Sequence, residues 1–170
     1  MSGAIWAVAE VADGQPTRLS LELATLAREL ALAAGREAAA VVIDVQAAAA
    51  APLLADYLPS VLAVGAPEAA DHAAAAVIAP LIAALIAQYE PSLVLLGASP
   101  DGKDVAGALA ALLDWNVLVN GAAVRWVGGA PTVEMSTFGG RLVTQSAPTT
   151  SMPSGDAPSR TSDGSCWAIN

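Results

Sequence analysis

The chain has 170 residues, of which 55% are hydrophobic and only 14% charged, and its net charge is −9. That length fits one domain with a sizeable core, and the apolar content excludes a disordered chain. The seven basic residues, Arg18, Arg28, Arg36, Lys103, Arg125, Arg141 and Arg160, are scattered, so the basic stripe that nucleic-acid binding needs is missing.

Residues 5–11 read as a first strand, ended by the turn signal Asp13-Gly14. With no basic region before that strand, no secretory signal is expected, and a cytoplasmic location follows by default. Ser20 reads as the N-cap of a helix through Ala34, with Leu21, Leu23, Leu26 and Leu30 near one face and Gly35 as its stop. Residues 39–45 contain Val41-Val42-Ile43, an unbroken apolar run of the kind buried on both faces. A short Ala-rich helix is expected over 47–58 and a third strand over 61–64, closed by Gly65.

Asp71 is expected to cap a long helix that reaches Tyr89 and ends at Pro91. Its apolar part, 73–87, falls short of the ~20 residues that span a bilayer. It also contains Pro80 and has no basic flank, so it reads as a core helix with no membrane insertion. Residues 92–96 form the fourth strand, and the turn from Gly97 to Lys103 leads into a small-residue helix up to about Asp114. Asp101 and Asp104 read as a capping-box-like pair at its start.

Apolar strands alternating with helices indicate parallel pairing with crossover helices on both faces. The expected architecture is a three-layer α/β/α sandwich with a mostly parallel sheet. Beyond Asp114, residues 117–119, 122–127, 132–137 and 141–145 read as short strands joined by glycine turns at 128–131 and 138–140, an antiparallel hairpin edge. These elements make one α/β domain over 1–146. Residues 147–170, rich in Pro, Ser, Thr and Gly, read as a flexible tail.

Standard catalytic sets are not met. Gly102-Lys103 is followed by Asp104, which breaks the phosphate-cradling Gly-Lys-Ser/Thr pattern, and no Gly-x-Gly-x-x-Gly follows any strand. His72 is the only histidine and Cys166 the only cysteine, so neither a metal site nor a nucleophile–base pair assembles from the usual residues. No catalytic residue and no metal ligand is assigned, and the chain does not read as an enzyme. If a nucleotide binds, the carboxyl ends of the strands offer the cleft, with Gly97, Ser99, Gly102 and Lys103 as candidates beside Gly65 and the Asp13-Gly14 turn. Four tryptophans stand out: Trp6 in the first strand reads as core and Trp167 lies on the tail. Trp115, Trp126, Phe138 and Arg141 are candidates for an interface.

Four ordered segments resemble the N-terminal domain of the electron transfer flavoprotein α-subunit family. They are Ile5-Trp6-Ala7-Val8-Ala9-Glu10 with Asp13-Gly14, the helix from Ser20 to Leu30, the turn from Gly97 to Gly107, and Phe138-Gly139-Gly140. The resemblance spans roughly the first 145 residues. It implies a fold like that of the adenine-nucleotide α-hydrolase-like proteins and a scaffold that pairs with a β-like subunit. FAD is implied for the family through a C-terminal domain that would begin where this chain stops, so no cofactor is expected in this chain alone. A homodimer is the other partner expected, and a stand-alone adenine-nucleotide-binding domain is the alternative reading. The resemblance also implies a closing strand after the hairpin, and 147–153 lacks the β-branched run for it.

Overall fold

An unbroken apolar strand needs cover on both faces, and Ile5–Ala9 (β1) has it. The computed structural model describes residues 3–115, 117–137, 142–146 and 165–169. Along β1 every residue is buried, and successive side chains part to opposite faces of the sheet. Ile5, Ala7 and Ala9 enter one hydrophobic cluster, while Trp6 and Val8 enter a second.

The elements after β1 follow in chain order. Val11–Ala12 (β2) and Gln15–Pro16 (β3) form a small hairpin, followed by Arg18–Ala34 (α1), Ala38–Asp44 (β4), Ala47–Ala55 (α2) and Ser60–Gly65 (β5). A 3-10 turn over Pro67–Ala70 precedes Ala74–Tyr89 (α3), Leu93–Gly97 (β6) and Pro100–Leu113 (α4). Val117–Val127 (β7), Ala130–Thr137 (β8), Leu142–Ser146 (β9) and Ser165–Ile169 (β10) complete the order. The main sheet has eight strands in the order β5-β4-β1-β6-β10-β7-β8-β9. β1 pairs in parallel with β4 and β6, and only β7-β8-β9 is an antiparallel meander. One cluster joins the sheet to α1 and α2, the other to α3 and α4. The architecture is the expected three-layer α/β/α sandwich.

α1 buries Ser20, Leu23, Ala24, Ala27, Leu30 and Ala31, the one-sided stripe of a helix packed on a sheet. Gly35 closes it at φ 64°, donating to the Ala31 and Leu32 carbonyls, a left-handed cap that costs glycine nothing.

Several boundaries differ from the sequence expectations, each for a local reason. The cap of α1 is Thr17, not Ser20: the Thr17 side chain accepts from the Ser20 amide, and Ser20 sits inside the first turn. The cap of α4 is Ser99 instead of an Asp101–Asp104 box. Pro100 holds the first helical position and forces the residue before it out of the helical region. Asp71 does not cap α3; it ends the 3-10 turn that Pro67 starts, and α3 begins at Ala74 without a side-chain cap. Asp13 and Gly14, at φ 51° and 74°, form the two-residue turn between β2 and β3 that their sequence favours.

The larger difference lies at the C-terminus. Residues 165–169, read by composition as part of a flexible tail, form β10, paired in parallel with β6 on one side and β7 on the other. β6 is buried throughout, so its second edge needs a partner for its backbone groups, and Ser-Cys-Trp-Ala-Ile supplies it. Among the described residues no helix is long and apolar enough to cross a membrane.

Candidate functional site

In an open parallel sheet the ligand crevice lies where the strand order reverses, beyond the carboxyl ends of two neighbouring strands. Here that point falls between β1, which leads away towards β4, and β6 on its other side. The candidates Gly97, Ser99, Gly102 and Lys103 all sit at this point, in the β6–α4 turn.

The turn is built around a residue that sequence reasoning did not single out, Glu10. It follows β1 directly and its backbone is tied to α1. The Glu10 amide donates to Ser20 Oγ at 2.8 Å, Ser20 Oγ donates to the Glu10 carbonyl at 3.0 Å, and the Thr17 amide donates to the same carbonyl at 2.9 Å. Held this way, the Glu10 side chain reaches across to α4. Ser99 Oγ donates to Glu10 Oε1 at 2.5 Å and accepts from the Gly102 amide at 2.9 Å. A helix N-terminus attracts negative charge, and here the charge comes from within the chain. The only signal for this in the sequence is a lone acid directly after an apolar strand.

The glycines answer to the same packing. A Cβ on Gly102 would lie 2.0 Å from the Gly97 carbonyl oxygen and 3.0 Å from Glu10 Oε1. One on Gly97 would lie 2.7 Å from Leu19 Cδ2 and 3.4 Å from Glu10 Oε1. Close approach of backbone and carboxylate therefore accounts for Gly102, while at Gly97 the neighbour in the way is the Leu19 side chain. Lys103 is exposed on the first turn of α4. Gly65, at the far end of β5, has nothing within 4 Å of an added Cβ. A phosphate entering the β6–α4 turn would meet the Glu10 carboxylate, so these residues do not fit the pyrophosphate of a dinucleotide or a flavin.

The two clefts of note lie at the other end of the sheet. One is lined by Gly3, Ala34, Gly35, Arg36 and Glu37, and the other includes Arg28, Leu32, Arg36, Pro59 and Ser60. Among the described residues no group of three or more His, Cys, Asp and Glu side chains stands together.

The interface candidates do not form one patch. Trp115 is half-buried against the α3–α4 cluster. Trp126, on β7, is half-buried against the α1–α2 cluster, with the Arg36 guanidinium 5.5 Å from its ring centroid. Arg36 also donates to the Gly3 carbonyl at 2.9 Å. Phe138 and Arg141 lie outside the described residues. The meander carries a signal that the sequence reading passed over: Val119, Val127 and Val143 are exposed by 43, 58 and 54%.

A family model described as the electron transfer flavoprotein domain matches residues 5–153 of the chain. No curated protein matches it.

Proposed function

Because the chain belongs to the electron transfer flavoprotein domain family, we propose that it acts as that family's α-subunit N-terminal domain does. In this reading it is a docking scaffold that pairs with a β-like subunit and holds no FAD by itself. Its docking surface is the β7–β8–β9 meander, with Trp126 held under Arg36 at one end. The observation that carries this reading is the apolar exposure of the meander. Three of the six large apolar side chains left exposed among the described residues lie on it, and apolar surface in water is what a partner would bury.

The Glu10–Ser99 closure favours docking over the alternative, a stand-alone adenine-nucleotide-binding domain. A nucleotide phosphate at α4 would have to displace a carboxylate of the chain itself. When a flavin is bound in this family it supplies the electron-carrying chemistry; the residues of this chain contribute shape and contact.

The test is a near-UV and visible absorbance spectrum of the purified chain, with light scattering before and after addition of a family β-subunit. A flat visible spectrum and a one-to-one complex that Val127→Asp weakens support the reading. A stoichiometric flavin band in the isolated chain overturns it, and binding of AMP by calorimetry would restore the alternative.

A further inference from the structure

At the β5 end of the molecule three uncharged elements come together. β5 is the edge of the main sheet among the described residues. Its sequence Ser-Val-Leu-Ala-Val-Gly has no charge, no proline and an unbroken register against β4. Soluble proteins usually protect such an edge with charge, proline or a bulge. The two helices at this end, α2 and α3, contain no charged residue either.

A helix that is apolar all round is normally buried all round, yet α3 buries only Ala79, Ile82 and Ile86. Ala76, Pro80, Ala84 and Ala87 face outward, and Leu62 and Val64 of β5 are only half-buried beside the helix. On the other face α2 exposes Ala48, Pro52 and Ala55. Between Arg36 and Lys103 the sequence has no Lys or Arg at all. This end is an uncharged cross-section through all three layers, wide enough for a specific interface.

We propose that a second copy of this chain covers it. The two β5 strands would pair antiparallel about a twofold axis, extending one sheet across both copies, while α2 meets α2 and α3 meets α3. Identical strands in antiparallel pairing are self-complementary, the condition for a closed two-fold dimer. The small outward side chains let the helices approach closely. Six residues of strand span about 20 Å and three layers about 30 Å. The contact is then roughly 600 Å² per copy and about 1,200 Å² in all, at the lower bound for a specific, stable interface. Asp56, Glu68 and Asp71, exposed and next in sequence to these elements, add negative charge to both copies, so the pairing tightens as salt screens them. The inference stands apart from the meander docking, which uses the opposite end of the sheet.

The experiment is light scattering on the full chain at about 0.1 mM, above the micromolar constants of weak specific interfaces, beside two variants. Ala63→Lys puts a charge on an exposed residue near the midpoint of β5, where each copy would face the other's lysine. Ala84→Glu does the same on α3. The wild type is expected at twice the 16.9 kDa of one chain, and both variants at the monomer mass with unchanged circular dichroism. Ala63→Lys lowers the net negative charge, so its dissociation cannot come from general repulsion. A monomeric wild type overturns the proposal, and so does a dimer that both variants retain. Neither outcome bears on whether a β-like subunit binds the meander.

Discussion

Helix α4 contains two glycines whose surroundings differ enough to make the same substitution act in opposite directions. At Gly102 an added Cβ meets a backbone oxygen at 2.0 Å, about 1 Å inside the closest approach that real Cβ atoms show, and the Glu10 carboxylate at 3.0 Å. The nearer neighbour is backbone and cannot swing aside, so the start of α4 has to move. Overpacking of this kind costs about 1–3 kcal/mol. Moving the first turn also weakens the Ser99 cap, worth about 1 kcal/mol. Against this stands the helix preference of Ala over Gly, at most about 1 kcal/mol. Gly102→Ala should therefore lose about 2 kcal/mol. At Gly107 an added Cβ meets nothing within 4 Å, so Gly107→Ala should gain about 0.5–1 kcal/mol. The unfolded chain loses the same freedom in both variants, so the difference between them isolates the native packing. For a domain of this size 1 kcal/mol moves Tm by about 2–4 °C. Thermal denaturation followed by circular dichroism should place Gly102→Ala about 4–8 °C below the wild type and Gly107→Ala 1–4 °C above it. Equal Tm values for the two variants would refute the packing account of the turn.

Ser20→Ala removes two hydrogen bonds to the Glu10 backbone from a residue only 2% exposed. It should cost about 1–3 kcal/mol in urea unfolding, and a loss below 0.5 kcal/mol would show that Glu10 is held by other means. Trp6 is fully buried, packs edge-on against Tyr89 at 6.1 Å, and has no partner for its indole N–H among the described residues. Trp6→Phe gives up packing volume but also relieves an unpaired donor worth about 1–3 kcal/mol, so the net change should stay within about 1 kcal/mol. A loss above 3 kcal/mol would mean that the N–H is bonded. Deleting residues 165–170 strips β6 of its partner on one edge and should speed amide exchange across Leu93–Gly97 by orders of magnitude. Unchanged protection would show that β10 is dispensable.

The strands and most helices were legible because local physics determines them. Val41-Val42-Ile43 reads as a buried parallel strand since no polar side chain interrupts it, and Gly35 stops α1 because only glycine adopts that cap without strain. The glycine turn at 128–129 is observed as expected, at φ 61° and 87°. β10 was illegible for the opposite reason. Four apolar residues led by a serine, behind a long Pro/Ser/Thr/Gly stretch, carry no sign of where they pair, and their partners Leu93 to Gly97 lie about seventy residues earlier. Composition averaged over 147–170 hid them.

At the site the division is sharper. From sequence the β6–α4 turn could be located and its glycines noted, because a tight turn into a helix has a local signature. Its meaning could not be read. Glu10 and Ser99 are 89 positions apart, and nothing in either neighbourhood announces their hydrogen bond. Amino-acid order alone determined the layers, the direction of the strands and the family likeness, since these follow from hydropathy, turn chemistry and motifs within a few residues of one another. Tertiary structure alone decided that the anion position at α4 is filled by the chain's own carboxylate, that the last five described residues bridge the two halves of the sheet, and that β5 is an edge strand among the described residues. Each of these is a relation between distant segments, settled only when the backbone closes and every buried polar group must find a partner.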